Sequence, residues 1–382
     1  MKQILLSTLL FLFILNANSQ NEKNWTLNGY ISNIQSVMFE SYDEDWVNDN
    51  VIHNRLNFKW YPNNSLKFAT SIRNRLLWGS SFQYFPEYAK SIEESNSYFD
   101  LNRNILSEES FALNSTIDRL YLDYTIKDLQ ITLGRQRINW GQNFIWNPND
   151  IFNSYSFFEV DYTERPGSDA IRIQYYTSYS SSAEFAMNCN SDKEITLAGL
   201  YRFNKWNYDI QLLGGLIKET EIFAGLGWSG DIKTAGFTGE LSYFVPKKMK
   251  DTSGVLLFAL SGNYTFSNSL MLQIDYIYNE YAKSYDISQF GEMLNLPQSE
   301  KAISFTEHTY FLSAGFPINP LINASVSAMY FPKLDGIYIG GSLDYSLKDN
   351  LNVSFISQFF DGQFGDERSK FFMGFLKLQL SF

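Results

Sequence analysis

Apolar and polar residues alternate at period two along most of this chain, in segments of about ten residues, and few folds accept that pattern. In Leu270–Asn279 the even positions Leu270, Leu272, Ile274, Tyr276 and Tyr278 are apolar or aromatic, and the odd ones are mostly polar. Leu120, Leu122, Tyr124 and Ile126 likewise oppose Tyr121, Asp123 and Thr125, and Ile195, Leu197, Tyr201 and Phe203 oppose Thr196 and Arg202. A helix would need a period near 3.6; a period of two describes extended strands with one wet face and one greasy face. The 33 Phe and 25 Tyr residues are spread along such strands instead of being gathered into one dry core.

The first residues set the compartment. Met1-Lys2, the apolar run Ile4 to Leu15 and the small residues Ala17-Asn18-Ser19 read as a secretory signal over residues 1–19, with cleavage before Gln20. No later apolar run reaches 18 residues, so a membrane-spanning helix is not expected in residues 20–382. A net charge of −11 argues against nucleic acid as a partner, because phosphate neutralisation needs a basic surface. A single cysteine, Cys189, excludes a disulfide framework or a cysteine-built zinc site, and two histidines leave little for metal or triad chemistry. No cofactor and no metal site are expected, and an enzyme is disfavoured.

Strands are expected near 24–40, 51–60, 65–78, 114–126, 129–137, 168–177, 182–189, 194–203, 207–217, 219–229, 234–244, 254–266, 269–280, 305–316, 321–331, 336–346, 350–360 and 370–382. Tight turns such as Lys127-Asp128 and Asn204-Lys205-Trp206 alternate with long segments at 79–113, 138–167 and 281–304. Short turns at one end and long loops at the other are the asymmetry of an outer-membrane barrel, and an even count puts both termini at the turn end. The reading is an all-β, transmembrane, antiparallel up-and-down barrel of about 18 strands, with 16 as the alternative count. A soluble sandwich or propeller would alternate too, but no blade repeat of about 40 to 50 residues is visible. Phe372, Leu376, Leu378, Leu380 and Phe382 share a face, and this ending resembles the C-terminal signature that barrel-assembly machinery recognises. Outer-membrane lipid and lipopolysaccharide are the expected surroundings.

Inside such a barrel the polar faces would carry Lys67, Arg73, Arg75, Arg119, Arg172 and Arg202, a basic wall. Arg135 and Arg137 share the parity of Leu129, Ile131 and Leu133, so facing the lumen requires a bulge, for which Gly134 is the natural site, or a place near the rim. An arginine left on the lipid face at mid-bilayer would cost roughly 2–4 kcal/mol. The later strands offer a neutral to mildly acidic wall of Gln273, Asp275, Asp344, Asn352 and Gln358.

The segment 138–167 carries too many aromatics for a solvated loop: Trp140, Phe144, Trp146, Phe152, Phe157 and Phe158. It is expected to fold inward as a constriction, with Asp150, Glu159, Asp161 and Glu164 facing the basic wall across a water-filled gap. The alternative is a lid across the outer rim.

Gly134-Arg135-Gln136, Asn139-Trp140-Gly141, Asn147-Pro148-Asn149-Asp150 and Glu164-Arg165-Pro166-Gly167-Ser168-Asp169-Ala170 form a pattern that resembles a porin-like family of outer-membrane β-barrels. More distantly it is similar to channels of the alginate-export type. The resemblance covers about 40 residues and implies an eighteen-stranded barrel with an arginine-rich lumen and passage of an anionic sugar or organic acid.

His53 and His308 read as lumen or rim polar residues, Cys189 as a packing residue, and Asp43-Glu44-Asp45, Glu93-Glu94 and Glu108-Glu109 as solvated loop faces. The expected function is passive diffusion of small polar or anionic solutes; the alternative is a closed barrel serving surface binding, adhesion or polysaccharide assembly.

Overall fold

Wherever the sequence alternates, the backbone is extended and pairs with its neighbour in sequence. The computed structural model describes residues 24–43, 46–85, 87–153, 166–248, 253–284 and 299–382, and the expected signal segment lies outside them. The first half contributes β1 (Trp25–Phe39), β2 (Val47–Asn63), β3 (Leu66–Gly79), β4 (Asn102–Glu108), β5 (Phe111–Ile126), β6 (Leu129–Gln136), β7 (Ser168–Ser178), β8 (Ser181–Cys189), β9 (Ile195–Lys205) and β10 (Tyr208–Ile217). The second contributes β11 (Glu221–Ile232), β12 (Ala235–Pro246), β13 (Val255–Thr265), β14 (Met271–Asn279), β15 (His308–Asn319), β16 (Ile322–Phe331), β17 (Gly336–Lys348), β18 (Leu351–Phe364) and β19 (Glu367–Ser381).

All pairings are antiparallel, and β1 pairs with both β2 and β19, so the sheet closes on itself. The backbone of Phe382 exchanges two 2.9 Å hydrogen bonds with Gly29, which carries the seam past the last strand residue. The sequence ladder passes directly from β3 to β5, so eighteen strands form the wall and β4 is an addition. Each of the eighteen expected strands is present within a few residues. The long segment after β3 also holds structure that the sequence did not announce: short helices at Ser81–Tyr84 and Tyr88–Glu93, and β4 itself.

The alternation resolves into an outside and an inside. One outward row climbs from Ile126, beside a short turn, through Leu129, Tyr175, Tyr201 and Leu212, and on through Leu226 and Phe258 to His308, beside a long loop. Leu212, nearly half exposed, stands midway up that row. Exposed aromatics mark both ends of the wall: Trp25, Trp60 and Trp206 at the turn end, Trp46, Tyr310 and Tyr330 at the loop end. Inward neighbours on the same strands are buried and polar, among them Glu184, Gln211, Glu240 and Ser242. An apolar exterior with aromatic girdles around a polar interior inverts the arrangement of a soluble protein.

The interior is not uniformly wet. Inward-facing Ala186, Leu200, Leu213, Phe223, Phe244 and Leu257 pack against Ile138, Trp140, Ile151 and Phe152. At the loop end of the late strands, Phe311, Phe331, Tyr338, Phe360 and Phe371 pack with Trp146 and Phe305. The neutral to mildly acidic late wall expected from the sequence shares its strands with apolar residues that the sequence reading left out. Gln273 and Asp275 are buried there, but an aromatic cluster fills the lumen above them. Such residues can stay dry only because loop segments enter the barrel and cover them.

Candidate solute pathway

Two cavities lie chiefly beside β1–β3 and β5–β7. A cavity of about 720 Å³ at the loop end is lined by Asp49, Arg73, Arg75, Asp118, Arg135 and Asp169, among others. Toward the turn end lies a second cavity of about 440 Å³, lined by Arg55, Lys67, Arg119, Asp123, Arg137 and Arg172. It shares Lys67, Asp123 and Gln130 with a mouth of about 580 Å³ formed around the Tyr61–Leu66 turn.

An ion-paired cluster stands between the two upper spaces, Arg73 and Asp118 lining the first and Arg55 the second. Asp118 accepts a hydrogen bond from Arg55 Nη1 and lies 3.3 Å from Arg73 Nε, and all three side chains are less than a tenth exposed. Asp118 reaches inward because β5 carries an extra residue there: Ser71 pairs with Arg119 and Ile72 with Ile117, leaving Asp118 between them. That bulge moves the inward face from even positions (Ala112, Asn114, Thr116, Asp118) to odd ones (Asp123), which returns Leu120, Leu122 and Tyr124 to the exterior. Arg75 Nη2 donates to Asn114 Oδ1 at 3.4 Å on the same wall.

Toward the turn end, Lys67 and Arg172 each have an acid from the strands. Lys67 Nζ lies 3.3 Å from Asp123 Oδ2, which also accepts from Gln130 Nε2 at 2.6 Å and Thr132 Oγ1 at 3.1 Å. Arg172 binds Glu184 Oε2 through Nε and Nη2, at 2.9 and 2.6 Å. Arg119 donates to the Asp118 carbonyl, and exposed Arg137 donates to Asn139 Oδ1 at 3.2 Å. Arg202 reaches the buried Gln211 amide, oriented so that its oxygen accepts at 3.0 and 2.5 Å while its nitrogen donates to the Trp140 carbonyl. Arg202 thus supports the loop rather than lining either cavity.

Arg135 takes neither a bulge nor an open position. Pairing with β5 and β7 runs through Gly134 without a register shift, although Gly134 has φ +115° and a Cβ there would stand 2.3 Å from the Leu120 carbonyl. Arg135 and Asp169 face each other across β6 and β7 and form two 2.8 Å bonds. Two backbone carbonyls, of Ile117 and Phe99, accept from the same guanidinium, and Phe99 N–H donates to Asp169 at 2.8 Å. Here β6 and β7 leave the wall early. Residues 96–108 fill the gap: β4 pairs with β5, Ser97 bridges Asn190, and Phe99 caps the ion pair.

The described part of segment 138–167 enters the lumen. Ile138 and Trp140 are fully buried; Trp140 Nε1 donates to Glu184 at 3.0 Å, and its ring meets Phe152 edge-on. Trp146 meets Phe311 edge-on on the far wall, while Phe144 stays about half exposed. Asp150 is buried beside Asn153, whose amide donates to it at 3.4 Å. Glu159, Asp161 and Glu164, with Phe157 and Phe158, lie outside the described residues. Several functional-looking residues escaped the sequence reading. Arg55 was legible, since His53, Arg55, Asn57 and Lys59 alternate with Ile52, Leu56 and Phe58; Asp118 was not, because a bulge leaves no period to read.

The class these features define is a closed eighteen-strand antiparallel barrel with a charged, partly filled lumen. Among solved structures the same architecture is found in the outer membrane protein OprD from Pseudomonas aeruginosa, with TM-score 0.58, 10% identity and coverage of 94% of each chain. It is found again in OpdQ from the same organism, with TM-score 0.59, 6% identity, and 94% of this chain and 99% of that one covered. OccAB1 from Acinetobacter baumannii gives TM-score 0.55 at 9% identity over 95% and 99% of the two chains. At these identities the likeness is one of fold. No protein-family model matches the chain, and no curated protein does.

Proposed function

We propose that this protein is an outer-membrane channel through which small polar solutes, anionic ones preferentially, diffuse passively. The observation that carries the reading is the run of guanidinium and ammonium groups, Arg75, Arg73, Arg55, Arg119, Arg172 and Lys67, along the side of the lumen where the two upper cavities lie. An anion moving between such groups exchanges one charge-assisted hydrogen bond for the next and keeps part of its water, so no single site traps it. The apolar belt would meet lipid and lipopolysaccharide, the long loops would face outward, and Phe382 would present the signal to the assembly machinery. The segment 138–167 acts as the constriction. The resemblance to alginate-export-type channels favours an anionic sugar or organic acid as cargo, and this reading makes the protein a conduit and not an enzyme.

One observation favours the second reading, a closed barrel working in surface binding, adhesion or polysaccharide assembly: two dry clusters occupy much of the lumen. Conductance decides between them. Purified protein in a planar bilayer should give single-channel openings with an anion-selective reversal potential in a salt gradient, and Arg73→Ala with Arg172→Ala should reduce that selectivity. Absence of openings would move the assignment to the closed barrel; openings with unchanged selectivity in the double variant would remove the basic wall from the mechanism.

A further inference from the structure

The loop that crosses the lumen is attached to the far wall through one buried carboxylate. On β12, Thr238, Glu240 and Ser242 point inward in succession, and the loop tip runs along them. Thr238 Oγ1 donates to Asn143 Oδ1 at 2.7 Å, and Ser242 Oγ to Asn149 Oδ1 at 2.8 Å. Between them Glu240, fully buried, accepts three backbone N–H groups: those of Gln142 and Asn143 on Oε1, the latter at 3.0 Å, and that of Asn149 on Oε2 at 2.8 Å. The two limbs of the tip, 142–143 and 149, are thus joined through a side chain that belongs to neither.

We propose that Glu240 is the positioning residue that fixes the crossing loop and so sets the bore of the channel. The physical ground is mutual dependence. A carboxylate without solvent exposure needs donors, and here the loop amides supply them; those amides need an acceptor, and Glu240 supplies both oxygens. Detaching either limb strands both partners until water replaces them, so the tip holds as one unit. Its attachment seats Trp146 on Phe311 and keeps the loop against the dry side, leaving the route beside β1–β3 and β5–β7. The pattern Asn-Trp-Gly followed by Asn-Pro-Asn-Asp gains a physical meaning as well: Gly141 must be bare because a Cβ would stand 2.2 Å from Asn147 Oδ1, and Asn149 binds Ser242 and the Leu226 carbonyl with its side chain while its N–H binds Glu240.

The statement about the bore rests on the channel reading; the statement about the loop does not, and two measurements on the full folded chain separate them. Residue-resolved amide hydrogen exchange in detergent should show Gln142, Asn143 and Asn149 protected, with protection at all three falling at least about tenfold in Glu240→Ala. In Glu240→Gln the amide keeps one acceptor oxygen, which serves best where two donors converge. Asn149 should then lose protection while Gln142 and Asn143 retain it, a split that general loosening would not produce. This second variant carries the test if Glu240→Ala fails to show the heat-modifiable mobility of a folded barrel. Unchanged protection in Glu240→Ala, or equal loss at all three amides in Glu240→Gln, would overturn the anchor. In bilayers Glu240→Ala should give larger and noisier single-channel currents. Exchange that moves while conductance does not would overturn the role in the bore, and a wild-type protein without current would sink the channel reading while the exchange result still decides the anchor.

Discussion

Asp118 is an acid held between two buried guanidiniums, with Arg55 lining one of the two upper cavities and Arg73 the other, so Asp118→Asn tests the electrostatics of the lumen most directly. The substitution preserves shape and one acceptor oxygen and adds one net positive charge. An ion passing about 6 Å away feels about 0.7 kcal/mol from that charge in a water-like dielectric, which is about threefold in local occupancy. The anion gains this factor and the cation loses it, so the permeability ratio should rise about tenfold at low salt. Screening at physiological ionic strength, with a Debye length of about 8 Å, roughly halves the energy and leaves a ratio of about threefold. Reversal potentials in a potassium chloride gradient, taken at two ionic strengths, should therefore move toward the anion limit, and further at the lower strength. Arg73→Gln should move them the opposite way. Breaking a buried ion pair also costs stability, about 3–5 kcal/mol, so fold is checked first by heat-modifiable mobility. A folded Asp118→Asn protein whose reversal potential stays put, or moves toward cations, would refute the assignment of the Arg55–Asp118–Arg73 junction to the solute path.

Three further outcomes test the rest of the construction. Leu212→Arg places a charge midway up the outward apolar row and should destabilise the folded barrel in lipid by about 2–4 kcal/mol, read from denaturant titration in liposomes, whereas the same change at exposed Trp206 beside a turn should cost about 1 kcal/mol or less. Arg135→Ala and Asp169→Ala should each cost about 3–5 kcal/mol, and the double variant clearly less than their sum, since the survivor of a buried pair is the expensive species; additive losses would mean that the pair does not act as a unit. Gly141→Ala should cost about 1–3 kcal/mol by forcing Asn147 away, and its amide-exchange signature should concentrate in residues 138–153.

How much of this was legible in the sequence follows from the range over which each feature is determined. Strands and turns are local, so period two interrupted at Lys127-Asp128 or Trp206-Asn207 located all eighteen barrel strands. Features requiring two distant segments were hidden. On β8–β13 both faces are apolar in places, Leu200 and Phe244 inward beside Tyr201 and Tyr243 outward, and only the presence of the loop makes the inward ones dry. Residues 96–108 read as loop because their partners, Thr116, Asp169 and Asn190, lie up to some ninety positions away in the chain.

The charges show the same division. Sequence reasoning assigned the counter-charges of the basic wall to the loop, through Asp150 and the acids that follow it. Glu159, Asp161 and Glu164 lie outside the described residues, and among the described ones the strands provide counter-charges of their own: Asp118 for Arg55 and Arg73, Asp123 for Lys67, Asp169 for Arg135 and Glu184 for Arg172. These acids neutralise each cation from the side and still leave the lower chamber with more basic than acidic lining residues. The described part of the loop meets the wall through backbone amides, asparagine side chains and two indoles, whose partners include Glu184, Thr238, Glu240 and Phe311. In the proposed channel the sign of selectivity is written on β2, β3 and β5–β8 and the width of the bore on the contact between the loop and β12, where the anchoring group, Glu240, is itself a carboxylate.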